Sequence, residues 1–413
     1  MTIASSTDLD AIRTAIAPGS ERDVALYPID GIEPGGAFEP ATREDLATLL
    51  RIAGEQGLAV VPQGSRTALA LGRPLAAYDL AIDLGGLRRT VEYVPDDLTV
   101  TVEAGRRLGA LQAELAEHGQ YLPIDPPPSD DVTIGGLLAT ARPGAWRGYL
   151  PAARDLILGM EVALPSGERI RSGGRVVKNV TGYDMHRMHT GALGAFGVIV
   201  EASFKVAPLP EASRTLAVTT PNLEAATALA LRLWDASPAL RALSVLTPSA
   251  AALVGLTAQP TVILELAGPA RTVDRSAADL RAVAPLSEAS SEAWNTLRST
   301  HGNSERTVLR AGVPPTATRA ILEECERTGA VAWSHLAAGA VIGTFEVAPS
   351  AATVTALREA SERLGGFLQI ESAPPQLRHK VPSTPGDAVL VEALRDRFDP
   401  ERTINRGRWG AIL

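Results

Sequence analysis

Polar and apolar positions alternate along this chain with periods that change three times. Residues 42–56 open with Thr42, place Asp45 three positions later, and then set Leu46, Leu49, Leu50, Ile52 and Ala53 on one face at helical spacing. That pattern predicts a capped amphipathic helix. A short apolar run, Leu58 to Pro62, predicts a buried strand, and strands are expected again at 78–84 and 98–103, followed by a helix from Arg107 to His118. LILGMEVAL, the turn Pro165-Ser166-Gly167-Glu168 and RIRSGG predict a hairpin, and 196–208 a further strand that ends in Pro208 and Pro210. This is an α+β order, not a regular βαβ series.

Beyond the prolines the character shifts to alanine-based helices between short strands. Residues 306–311, 316–328, 331–336, 340–346, 351–364 and 367–371 read strand, helix, strand, strand, helix, strand. That is the ferredoxin-like βαββαβ order. Strands at 214–219, 241–247 and 261–267 with helices at 222–235 and 270–283 repeat it less completely. Two such units side by side predict one antiparallel sheet with helices on one face. The expected organisation is an N-terminal segment 1–39, a first domain 40–210, a cap 211–380 and a tail 381–413 that returns to the first domain.

Composition narrows the chemistry. The 413 residues are 45% hydrophobic and 21% charged, with a net charge of −8 and no basic cluster, which argues against nucleic acid as a partner. Mean hydropathy is +0.07, and the most apolar stretch, VGLTAQPTVILELAG, is interrupted by Gln259, Pro260 and Glu265. A cytoplasmic protein is expected, touching a membrane only through partners. The single cysteine, Cys325, excludes an iron–sulfur cluster or a thiolate zinc site built from this chain alone, and a disulfide framework with it. No Gly-Lys dipeptide exists for a Walker loop, and Gly191, Gly194 and Gly197 do not have Rossmann spacing. His186 and His189 lack the neighbouring acids of a metal site, and His301-Gly302-Asn303 reads as a polar loop, so no metal is expected.

Three glycine-bearing segments remain. VVPQGSRTAL at 60–69 offers loop amides with the Ser65 and Thr67 hydroxyls, suited to a pyrophosphate or equally to a plain surface turn. In DPPPSDDVTIGGLLAT at 125–140, Thr133 caps a helix whose first turn carries Gly135 and Gly136, so either a ligand or another backbone can approach closely. The third, GGRVVKNVTGYDMHRMHTGALGAFGVIV at 173–200, contains Lys178, one of three lysines, for which a surface salt bridge is the ordinary role.

In this order the three segments resemble the FAD-binding domain, PCMH type, of the vanillyl-alcohol-oxidase superfamily. They are more closely similar to the flavin-binding small subunits of bacterial glycolate oxidases (glycolate dehydrogenases). KNVTGYD at 178–184 is the most telling match; the likeness covers roughly 40–210, the cap more loosely, and the tail at FDPERTINRGR. The resemblance implies an FAD domain of two α/β subdomains and an α/β cap with an antiparallel sheet. It implies non-covalent FAD, with Pro62, Gln63, Gly64, Ser65, Arg66, Thr67 and Ala68 on the pyrophosphate, Thr133, Ile134, Gly135 and Gly136 on a second wall, and Gly197, Val198 and Ile199 near the adenosine. Arg147, Tyr149, Lys178 and Tyr183, beside these motifs, are the expected neighbours of the flavin ring. Two departures stand out. Ser65-Arg66 replaces a glycine run, so Arg66 must point away or engage the cofactor, and Ala192 and Ala195 stand where relatives often have Ser or Thr.

The implied function is an FAD-binding subunit passing electrons from glycolate or another 2-hydroxy acid towards quinone, beside a larger FAD-binding paralogue and an iron–sulfur subunit. A stand-alone FAD-dependent alcohol, sugar or hydroxy-acid oxidoreductase and a non-catalytic scaffold subunit are the alternatives.

Overall fold

A computed structural model describes residues 6–128, 130–174, 183–234, 236–381 and 388–408. The first unit contains α1 (Ser6–Ala15), β1 (Gly36–Phe38), α2 (Arg43–Glu55), β2 (Val60–Gln63) and β3 (Leu80–Asp83), its strands forming an all-parallel sheet in the order β1-β3-β2. The Thr42 hydroxyl accepts the Asp45 amide at 3.0 Å, so α2 starts where its cap requires, and Leu46, Leu49 and Leu50 turn onto Val60, Leu80 and Ile82.

A second unit follows with β4 (Thr90–Val94), β5 (Thr99–Glu103), α3 (Leu108–Ala116), β6 (Gln120–Tyr121), α4 (Ile134–Thr140), α5 (Ala153–Leu156), β7 (Ile157–Ala163), β8 (Arg169–Gly173), α6 (His186–His189), β9 (Val198–Lys205) and β10 (Ala207–Pro208). Its main sheet is antiparallel, β4-β5-β9-β7-β8, with α3 and α4 packed on Val100, Val102 and Phe204. Register places Glu103, Glu201 and Glu161 side by side on β5, β9 and β7. Arg43, the first residue of α2, joins the two units by reaching all three at 3.5, 2.5 and 3.1 Å.

The cap runs β11 (Ala212–Thr219), α7 (Leu223–Leu233), β12 (Leu240–Leu246), α8 (Pro248–Leu253), β13 (Thr261–Gly268), α9 (Ala270–Val283), β14 (Ser287–Glu288), α10 (Glu292–Gly302), β15 (Thr307–Gly312), α11 (Thr318–Arg327), β16 (Val331–His335), β17 (Ala340–Phe345), α12 (Ala351–Arg363) and β18 (Phe367–Ser372). One eight-stranded sheet results, β14-β11-β13-β12-β16-β17-β15-β18, antiparallel throughout. Each half has ferredoxin-like strand order, and the halves meet through β12 and β16. Alternation along the strands makes both faces apolar, which corrects the expectation of helices on one face. Leu264, Val245 and Ala332 pack under α7, α9, α11 and α12, whereas Ile263, Leu246 and Trp333 meet α8 and α10.

The chain then forms α13 (Pro375–Lys380) and α14 (Ala388–Phe398) before running beside β2. The Val60 amide donates to Thr403 at 2.8 Å and the Asn405 amide to Val60 at 2.9 Å. Residues 403–408 thereby border the same loop that follows β2. No helix among the described residues is long and apolar enough to cross a membrane.

Candidate cofactor cleft and interdomain cavity

The loop after β2, the start of α4 and the approach to β9 converge on one cleft of about 130 Å³. It is lined by Pro62, Gln63, Gly64, Ser65, Arg66, Thr67 and Ala68 from the loop, by Thr133, Gly135 and Gly136, and by Gly197, Val198 and Ile199. Ile134 does not line it. Its side chain is fully buried in the core beneath α4, because the second position of the TIGG run faces the sheet rather than the cleft.

Close approach explains the glycines. A Cβ on Gly64 would sit 2.1 Å from the Thr133 hydroxyl, and one on Gly197, at φ +144°, would lie 2.6 Å from Val162 Cγ1. Between residues 64 and 71 the only backbone pairing among the described residues is from the Leu71 amide to the Ala68 carbonyl. Ser65 Oγ and Gln63 Oε1 are buried with no partner. Orphaned polar atoms beside free loop amides fit a ligand rich in acceptors and hydroxyls, as the phosphates and ribose of FAD are.

Both departures from the glycine-rich pattern are resolved by packing. Arg66 takes φ +60°, and its guanidinium leaves the cleft, donating to the Leu26 carbonyl at 2.7 Å and lying 5.0 Å from the centre of the Tyr27 ring. Ala192 and Ala195 are buried with Phe196 against Val391, Leu394 and Phe398, on the side of α14. Neither alanine lines the cleft, so a hydroxyl there would not reach a ligand in it. Sequence reading missed ten other lining residues, among them Leu193 and Gly194 on the same turn, and Asn405 and Arg408 on the tail. Asn405 Nδ2 holds the turn by donating to the Leu193 carbonyl at 2.6 Å.

A larger cavity of about 750 Å³ lies between the first two units and the cap, lined by Asp125, Arg142, Trp146, Arg147, Thr190, Arg310 and Phe367 among others. The end of α4 separates it from the cleft, since Ala139 and Thr140 line the cleft and Leu137 and Ala141 the cavity. Burial pushes the Asp125 carboxyl up to about 7, although it accepts the Trp146 amide at 3.1 Å. Two of the lining arginines, Arg142 and Arg310, meet on the buried Glu371. It accepts from Arg142 and Arg310 at 2.6 Å each and lies 2.8 Å from His301 Nε2. Against its own burial, these cations hold Glu371 well below the usual carboxylate range.

Of the three expected ring neighbours among the described residues, Arg147 alone lines this cavity. Tyr149 instead packs on the cap, its hydroxyl donating to the Trp234 carbonyl at 3.2 Å, and Tyr183 is exposed away from both cavities. Lys178, with most of KNVTGYD, lies outside the described residues. His301 is not in a polar loop: it is buried in the last turn of α10. His186 and His189 are buried on α6, and burial pulls His189 down to about 4, so its ring is neutral at physiological pH. No cluster of three potential metal ligands occurs among the described residues.

Residues 34–173 match the family model of the FAD binding domain. Among characterised proteins, the glycolate oxidase subunit GlcE of Escherichia coli (strain K12) is 39% identical over 158 residues, 38% of this chain and 45% of that one. The glycolate oxidase subunit GlcD of Bacillus subtilis (strain 168) is 30% identical over 265 residues, 62% of this chain and 56% of that one. The chain thus spans about half the length of these curated relatives. Among solved structures, 4-ethylphenol oxidase from Gulosibacter chungangensis superposes with a TM-score of 0.75 over 99% of this chain and 98% of that one, at 14% identity. The glycine-lined cleft thus lies in a chain whose residues 34–173 match an FAD binding domain and whose fold is similar to that of 4-ethylphenol oxidase.

Proposed function

We propose that this chain holds FAD non-covalently and acts as the flavin-binding subunit of a glycolate-type 2-hydroxy-acid dehydrogenase, working beside a larger FAD-binding paralogue and an iron–sulfur subunit that pass electrons towards quinone. The carrying observation is the cleft, where orphaned Ser65 and Gln63 atoms meet free loop amides inside the domain that matches the FAD family. The likeness to GlcE supports the subunit role. When bound, FAD supplies an isoalloxazine that accepts a hydride, so the protein's own task is placement and electrostatics. Gly64 and Thr133 set the width of the cleft, and the Arg142–Glu371–Arg310 cluster fixes the cap over the adjoining cavity.

Co-expression with a larger FAD-binding paralogue and an iron–sulfur subunit tests the role. Glycolate-dependent dye reduction is expected from the assembled complex and not from the chain alone; fast turnover by the isolated chain would favour the stand-alone reading. That second reading draws on the 750 Å³ cavity with Arg147 and Asp125 on its wall, which has room for a small substrate. Non-covalent attachment is supported by the lining, which has no His, Cys or Tyr among the described residues of either cavity. Cys325 is remote, buried in α11, its thiol pushed by burial up to about 12. Acid precipitation should release all the flavin into the supernatant, and yellow colour retained on the pellet would contradict this.

A further inference from the structure

We propose that Arg408, on the returning tail, is the counter-charge for the diphosphate of the dinucleotide, so that cofactor binding and seating of the C-terminal tail are a single event. This rests on the FAD reading above. Arg408 lines the cleft and is 5% exposed, yet the only hydrogen bonds of its side chain among the described residues run from Nη1 to the Leu71 and Arg73 carbonyls at 3.4 and 3.5 Å, the long limit for such contacts. No carboxylate among the described residues lies within ion-pair distance of it. Asp30, which contributes at longer range, is taken by Arg378. A guanidinium buried without an anion is unfavourable. Burial lowers Arg408 only to about 10, so the charge persists at neutral pH.

Elimination strengthens the assignment. Two cationic residues among the described ones line the cleft, and Arg66 sends its guanidinium away to the Leu26 carbonyl and the Tyr27 ring. Arg408 therefore supplies the positive charge beside the orphaned Ser65 and Gln63 atoms. The tail holds it there by backbone contacts. The Arg73 amide donates to the Arg408 carbonyl at 3.0 Å, and the Ala76 amide to the Arg406 carbonyl at 2.8 Å. Two glycines make that approach possible: a Cβ on Gly72 would sit 2.8 Å from the Arg408 carbonyl oxygen, and one on Gly407 2.7 Å from the Ala76 nitrogen. A planar fork with several donors suits a diphosphate.

The test titrates FAD into the flavin-free full chain and its R408Q and R408K variants by fluorescence, and measures the melting temperature of each variant without flavin. R408Q is expected to weaken FAD binding about 100-fold and R408K about tenfold, as loss of charge-assisted bonds to phosphate implies. Flavin-free R408Q should melt no lower than the unaltered chain, because a buried charge without an anion is removed. FAD should also slow proteolysis of the tail in the unaltered chain and not in R408Q. Unaltered FAD affinity in R408Q, or a flavin-free R408Q that melts much lower or fails to fold, would overturn the assignment by giving Arg408 no role or a structural one. If R408Q does not fold, undiminished FAD affinity in R408K is a second contrary result. Failure of the unaltered chain to bind FAD at all would instead remove the reading on which the proposal rests.

Discussion

Replacing Arg43 with methionine is expected to destabilise the protein by about 3–5 kcal/mol at neutral pH, the range for removing one partner from a buried ionic cluster. Its guanidinium reaches Glu103, Glu161 and Glu201, whose side chains are each under a tenth exposed. Without it, three adjacent carboxylates remain on neighbouring strands. Glu161 keeps Arg169 and Arg171, and Glu103 keeps Arg89, but Glu201 has no other ion pair among the described residues. In the intact protein Glu103 is held below its usual range: burial pushes it up, and bonds from the Arg89 side chain and amide more than offset that. A carboxyl lowered in the folded state adds stability above its unfolded pKa of about 4.5, and that stability is lost as pH falls. Arg43 is one of the charges that lower Glu103, so the R43M deficit is full at neutral pH and shrinks as pH falls towards the lowered range of Glu103. Urea denaturation followed by circular dichroism at pH 7 and pH 4.5 reads both effects. A change below about 1 kcal/mol at pH 7 would show that the three glutamates do not depend on Arg43.

The second large effect is expected where the cap meets the preceding unit. Glu371→Gln removes the charge on which Arg142, Arg310 and His301 converge, and the side chains of Glu371 and Arg142 are almost wholly inaccessible. A loss of about 3–5 kcal/mol follows from leaving two buried cations without an anion. Arg142 belongs to the FAD-type unit and Glu371 to the cap, so the loss should appear as earlier, separate melting of the cap. Glu371 lies well below the unfolded value of 4.5, and its contribution is therefore present above that pH and lost as pH falls through the lowered range. The difference between the original chain and E371Q should narrow in acid. Calorimetry of both at pH 7 checks this, and superimposable traces would contradict it.

Legibility in the sequence followed the range of the interactions. The Thr42 cap and the leucine spacing of α2 act within one turn, and the helix found, Arg43–Glu55, is nearly the one that spacing predicts. The βαββαβ order was visible because each strand and helix in it has its own apolar period. What local pattern does not encode is which face a neighbour covers. Ile263, Leu246 and Trp333 look like ordinary strand alternation, yet they bury α8 and α10 on the second face of the sheet. Likewise β1 is three residues long and exists only through its pairing with β3.

The cleft divides in the same way. Gly64, Ser65 and Thr133 carry local signals of loop and cap. Asn405 and Arg408 join them from over 300 residues away through bonds of the tail to Val60, Leu71 and Arg73, which no spacing announces. His301 was misread for a related reason. Its neighbours in sequence are polar, while the partner that buries it, Glu371, lies 70 residues further on.

Titration of FAD into the flavin-free full chain, followed by flavin fluorescence and absorbance, tests the central claim most directly. A saturable, stoichiometric uptake with a shifted flavin spectrum, reversible on acid treatment, is the predicted result. A chain that is folded by circular dichroism and takes up no FAD at any concentration would contradict the account of the cleft.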